Sequence, residues 1–246
     1  MKTSLETQLS AKSWRDTSNY PFTLLNLNPI FWNMNIYISI DGVLRNFINR
    51  FHYHYENAYI DVDVEASEDK FDYKVIEPIT NLDLSDHFLF QSKEQRDFFQ
   101  YIEYPMELYG HSPVSYNNVY NELNKFVYDY KDHNVTIVGL DELGKARPAT
   151  LFFLSRSGFM VNNIKFILSK DLEKEWENVD VWISDSEKIL QQKPKDKEFI
   201  FFKTQYNQHF TYEKTINKLS DVTFDNNNIL IDTNKNEKLI TDGGIL

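Results

Sequence analysis

The stretch Asn35-Ile36-Tyr37-Ile38-Ser39-Ile40-Asp41-Gly42-Val43-Leu44 decides how this chain is read. Apolar residues run from Ile36 to Ile40 and stop at an acid and a glycine, and an amphipathic segment, 44–51, follows at once. Such a pattern specifies a buried strand, a tight turn and a short helix. The same alternation returns after residue 134. Apolar runs at 135–138, 164–168, 180–184 and 199–203 predict four more strands, with helices expected at 143–156, 171–178 and 186–190. Strands alternating with helices over so short a span predict an α/β fold, a Rossmann-like parallel sheet with helices on both faces. The carboxyl ends of parallel strands share one edge, and ligand chemistry sits there. Ser39, Gly139 and Ser184 are therefore expected to converge at that edge.

Between the first strand and the second the alternation lapses. Ser92 and Gln95 read as a capping box that opens a helix running to about residue 102. Val119, Leu123, Phe126, Val127 and Tyr130 fall at helical spacing. The expected organisation is an N-terminal arm at 1–34, a Rossmann-like core at 35–51 and 134–225, an inserted and mainly helical subdomain at 52–133, and a C-terminal tail at 226–246 with one strand at 229–231. His52 and His54, two apart, suit a metal only if their segment is extended, and aromatic packing is the alternative. Asp61, Asp63 and Glu65 alternate, but an EF-hand loop needs a glycine at its sixth position, which is missing here. A solvated acidic edge is the simpler reading.

Composition narrows the classes. The 246 residues carry a net charge of −11, so an acidic surface opposes direct nucleic-acid binding, and no Lys/Arg cluster offsets it. No apolar run approaches the roughly 18 residues that cross a membrane. Cysteine is absent, which removes disulfides and thiolate metal sites. The polar start of the chain lacks an apolar signal region, which predicts an intracellular protein. Asn, Lys, Ile, Tyr and Phe are abundant while Gly and Ala are scarce, a usage typical of AT-rich genomes such as those of many bacteriophages. The arm at 20–32 holds Tyr20, Phe22, Leu24, Leu25, Leu27, Ile30, Phe31 and Trp32, broken by Pro21 and Pro29. Either it packs on its own domain, or it docks on other protein chains in a multi-subunit assembly, as large apolar patches do.

Ser39-Ile40-Asp41-Gly42, at the end of an apolar strand, resembles the first motif of the haloacid dehalogenase-like phosphatases, Asp-x-Asp-Gly. The strand 180–185, the Lys193-Pro194 turn and Thr204-Gln205-Tyr206-Asn207 resemble the closing part of members related to 5′-nucleotidases. Segment 149–156 resembles the helix after that family's second strand, and 81–111 is similar to phage-encoded members. The resemblance covers 35–51 and 134–210 and implies that the insertion is a cap. It also implies a mechanism: the first Asp attacks phosphorus, the second is the acid/base, a Ser or Thr on the second strand binds phosphate, a Lys follows the third strand, and paired acids hold Mg²⁺. In this chain Ser39 stands at the nucleophile and Asp41 is kept. Gly139 stands at the phosphate hydroxyl, Lys170 or Lys174 at the lysine, and Ser184-Asp185 at the acid pair.

A serine with no base beside it does not replace a carboxylate as both nucleophile and Mg²⁺ ligand. The expectation is a degenerate phosphatase fold with no catalytic residues and no cofactor, in which Asp41 and Asp185 are remnants of a metal site. Its expected role is that of a structural or assembly component of a bacteriophage virion, a portal- or tail-proximal ring or connector, assembled in the host cytoplasm. The alternatives are a Mg²⁺-dependent phosphatase or 5′-nucleotidase with an atypical active site, and a cytoplasmic module that binds a phosphometabolite without turnover.

Overall fold

Alternate residues of Asn35–Ser39 (β1) face opposite layers. Ile36 and Ile38 enter one apolar cluster, while Tyr37 enters another. That two-sided burial is the mark of a central strand in a covered parallel sheet. In a computed structural model of the chain, residues 33–60, 71–225 and 228–232 are described. The arm at 20–32 and the acidic run at 61–65 lie outside them.

The elements follow in chain order. After β1 come helices Phe47–Tyr55 (α1), Leu84–His87 (α2), Lys93–Phe98 (α3) and Val119–Asp129 (α4). Then come Asn134–Leu140 (β2), Arg147–Arg156 (α5), Ile164–Ile167 (β3), Leu172–Glu175 (α6), Val181–Ser184 (β4), Glu187–Gln191 (α7) and Glu198–Phe202 (β5). Short strands Thr215–Ile216 (β6), Val222–Asp225 (β7) and Asn228–Ile231 (β8) close the described part. The main sheet has the order β3-β2-β1-β4-β5-β6 and every pairing in it is parallel. The fold is thus α/β and Rossmann-like. β8 pairs antiparallel with β7, so the strand expected at 229–231 joins residues on both sides of the boundary drawn at 225. Among the described residues no helix is long and apolar enough to cross a membrane.

Two apolar layers cover the sheet. Ile36, Ile38, Ile137, Val181, Ile183 and Ile200 pack with Leu123 and Phe126 of α4 and with Phe153 and Leu154 of α5. On the other face Tyr37, Val138, Trp182, Phe199 and Phe201 pack with Leu172, Trp176 and Ile189. Burying each such side chain contributes roughly 1.5–3 kcal/mol.

The insertion has its own aromatic cluster: Phe47, Phe51, Tyr55, Phe88, Phe99 and Tyr109, joined by Ala146, Ala149 and Tyr206 from the core. α1 starts later than the sequence suggests, at Phe47, because Asn46 caps it by accepting the Asn49 N–H at 3.4 Å. It also runs on past residue 51, so His52 and His54 lie two apart on a helix and point to different sides. His52 meets Glu56 at 3.2 Å, and His54 lies against Tyr104. Ser92 caps α3 as expected, at 3.2 Å from the Gln95 N–H, but the Gln95 amide oxygen reaches the Gln91 N–H at 2.9 Å, one residue earlier than a capping box requires. α1 and α3 each run on into a wider π turn, at 56–60 and 99–103, and a third such turn spans 106–110.

Candidate functional site

Parallel register brings the strand ends together. Ser39 pairs with Val138, and Ile38 pairs with Ile183, which places Ser184 beside Ser39. A cleft of about 990 Å³ lies between this edge and the insertion. Its floor holds Ser39, Asp41, Trp182, Ser184 and Asp185, and its far wall is built from 80–86 and from Lys93, Arg96, Gln100 and Tyr101. Gln100 and Tyr101, neighbours in the turn at 99–103, both line the cleft.

Ser39 is tied into a neutral chain. Its hydroxyl donates to Ser184 Oγ at 2.8 Å and accepts from the Trp182 indole N–H at 3.1 Å. Ser184 Oγ also accepts the Ser186 N–H at 3.3 Å. Both serines are buried, and among the described residues neither has a histidine or carboxylate as a hydrogen-bond partner. Nothing in this set raises the nucleophilicity of either hydroxyl.

Asp41 is committed elsewhere. Its Oδ1 takes the Arg45 Nε–H at 2.7 Å. Arg45 is 1% exposed and its Nη1 also donates to Tyr109 O at 2.8 Å and to Thr150 Oγ1 at 3.1 Å. A guanidinium so deeply buried needs a counter-ion, and Asp41 supplies it.

Asp185 is held in a second arrangement. Gly42 adopts φ +80°, and a Cβ there would overlap the Asp185 carboxyl. The Tyr206 hydroxyl donates to Asp185 Oδ2, while Oδ1 is buried without a side-chain partner among the described residues. Asn207 braces the same turn. Its amide donates to Phe202 O at 3.0 Å and to Asp185 O at 3.4 Å, and its Oδ1 accepts the Thr204 N–H at 2.8 Å. The Thr204-Gln205-Tyr206-Asn207 signature is therefore the brace of Asp185. Burial pushes the Asp185 carboxyl up from 3.8 to about 7; the Tyr206 hydrogen bond opposes this, and the charge of Asp41 adds to it.

The remaining expected residues do not all reach the cleft. Gly139 faces the opposite layer: a Cβ on it would lie 3.2 Å from the Phe166 ring and 3.3 Å from Ile40 Cδ1. Val138 and Leu140, its neighbours, line the cleft instead. Of the two candidate lysines, Lys170 lines the cleft and Lys174 does not. Ser39, Asp41, Ser184, Asp185 and Lys170 thus share one site, and Gly139 stands outside it. Arg45, Trp182 and Tyr206 belong to the site although the sequence reading assigned them no role.

The donor set does not fit Mg²⁺. That ion requires near-octahedral coordination by hard oxygens. Of the described carboxylates that line the cleft, two stand at the ends of β1 and β4, Asp41 and Asp185; one is paired with a guanidinium, and the other is buried with its charge disfavoured. Among the described residues no group of three or more His, Cys, Asp or Glu side chains is placed to hold a metal.

No family model and no curated protein matches the chain. Among solved structures, the chain is similar to the crystal structure of a haloacid dehalogenase-like family hydrolase from Xanthomonas campestris. The two share 12% identity over 76% of this chain and 91% of that one, with a TM-score of 0.41.

Proposed function

We propose that this chain is a haloacid dehalogenase-like protein that performs no catalysis and acts as a structural or assembly component. The observation that supports it best is the state of the strand-end site. Ser39 occupies the position of the nucleophile and is held in a neutral chain with Trp182 and Ser184, while Asp41 is the counter-ion of a buried arginine. An acid/base group must exchange protons with a reacting atom, and a carboxylate clamped by a guanidinium is poorly placed to do so.

The assembly role draws on the surface as well. α5 is apolar on its outer side, where Leu151 and Phe152 are exposed next to Met106 of the insertion. Apolar side chains clustered on a surface mark interaction sites. The residue usage sets this role in a bacteriophage virion, as a ring or connector near the portal or tail, with the apolar arm at 20–32 contacting other chains.

Two experiments test this. Purified chain with p-nitrophenyl phosphate or nucleoside monophosphates and Mg²⁺ should show no turnover above buffer; turnover that Asp41→Asn abolishes refutes the non-catalytic reading. Deleting 1–32 should leave a folded protein that no longer joins its assembly; unchanged assembly refutes the role given to the arm.

A further inference from the structure

α1 packs in the insertion's aromatic cluster and α4 packs on the sheet, so the insertion is taken as 47–112 rather than 52–133, and it joins the core through two linkers, 42–46 leaving and 113–115 returning. Arg45 and Val114 form an antiparallel bridge between them. The Asn46 N–H donates to Pro113 O at 2.9 Å, the Ser115 N–H donates to Leu44 O at 3.0 Å, and the Ser115 hydroxyl donates to Val43 O. Linkers that act as a hinge need free backbone torsions, and these have spent them on each other.

Two arginines, Arg45 and Arg156, secure the same junction, and a third, Arg50, ties α1 to the turn at 106–110 within the insertion. The last carbonyls of a helical turn lack partners within it. Those of the turn at 106–110 and the residues just after it are taken by guanidinium groups. Arg45 Nη1 reaches Tyr109 O at 2.8 Å, and Arg50 Nε reaches Glu107 O at 3.1 Å. From α5, Arg156 reaches Gly110 O at 2.8 Å and Ser112 O at 2.6 Å. Arg45 also lies over the rings of Tyr109 and Phe153, at 5.0 and 5.3 Å from their centres. Apolar contacts cross in parallel, because the insertion's aromatic cluster takes in Ala146, Ala149 and Tyr206 of the core.

We infer that the insertion is a fixed cap: its hinge is zipped shut and pinned by Arg45, and Asp41 is the positioning counter-ion of that pin. The cleft keeps one size, and whatever enters it meets a preformed wall. This does not depend on the absence of catalysis, since an active enzyme could carry a fixed cap as well.

The test uses the full chain, whose lack of cysteine allows clean labelling. Spin labels at Lys93→Cys and Lys188→Cys report on opposite walls of the cleft. One narrow distance population, unchanged by inorganic phosphate with Mg²⁺, is expected; a second, longer population overturns the inference. Hydrogen exchange at the Asn46 and Ser115 amides should match that of the β1 and β4 amides within about tenfold, as for one cooperative unit, and exchange faster by about a hundredfold or more overturns it. Arg45→Met should speed exchange at 46, 115 and 107–112 by about tenfold or more relative to the strands. Asp41→Asn should do so to a smaller degree, and it carries the test if Arg45→Met does not fold. Unchanged protection in the folded variants overturns the role given to Arg45.

Discussion

Ser39→Asp restores the carboxylate of the resembled motif, and the structure says what it meets. Ser39 is 8% exposed, between the indole N–H of Trp182 and the hydroxyl of Ser184. A carboxylate there would accept from both, two hydrogen bonds to a charged group at about 1.5–3 kcal/mol each. Against that stand a desolvation cost of several kcal/mol for the ion and repulsion from Asp41 and Asp185 nearby. The balance is a loss of about 2–4 kcal/mol at neutral pH. The introduced carboxyl would have a folded-state pKa above its unfolded value. Its penalty is therefore absent in acid, where it is neutral in both states, and grows as the pH rises. Urea unfolding followed by the fluorescence of buried Trp176 and Trp182, at about pH 5 and about pH 7.5, should show the variant closer to the wild type at the lower pH. Millimolar Mg²⁺ should not recover the loss. A variant as stable as the wild type near neutrality, or one that Mg²⁺ stabilises and that then cleaves p-nitrophenyl phosphate, refutes the reasoning.

Three further outcomes follow from the same site. Gly42→Ala adds a left-handed backbone penalty to an overlap with the Asp185 carboxyl, and should cost about 2–5 kcal/mol; adding Asp185→Ala should recover part of this, and strict additivity in urea midpoints would argue against the contact. Asp185 binds its proton more tightly folded than unfolded, so its contribution weakens as the pH rises from 3.8 towards 7, by at most roughly 4 kcal/mol. Asp185→Asn should flatten stability across that window, and an unchanged profile would show that the carboxyl ionises freely. Phe99→Ala removes a ring from the centre of the insertion's cluster and should cost about 3–5 kcal/mol; a loss under about 1 kcal/mol in calorimetry would mean that the cluster is loosely packed.

The sheet was legible because its strands are continuous apolar runs, and their ends could be named from the acid, glycine or serine that follows. β6 was not, since two residues carry no period. Gly139 was assigned to the cleft on its position at the end of a strand, but a pleated strand turns successive residues to opposite faces, and 139 belongs with Ile137 rather than with Val138. Arg45 falls within the amphipathic segment 44–51 and was assigned no role there. Its burial arises from Tyr109, Thr150 and Phe153, each at least 64 residues away, and no local pattern announces partners at that distance. Asp41 and Asp185 were both placed at the right edge, yet what occupies each was decided by Arg45 and Tyr206.

The position of β1 has a consequence for how the protein is made. This strand leaves the ribosome before any of its partners, and the first, β2, begins 99 residues later. Its other neighbour, β4, lies beyond residue 180. At about 5–20 residues per second, β1 waits roughly 5–20 s for β2. The insertion waits less, because the rings from Phe47 to Tyr109 find one another within their own segment. The cap can therefore mature while Ile36, Ile38 and Ile40 still await pairing, and the nascent chain carries a bare apolar strand until β2 arrives, 99 residues on.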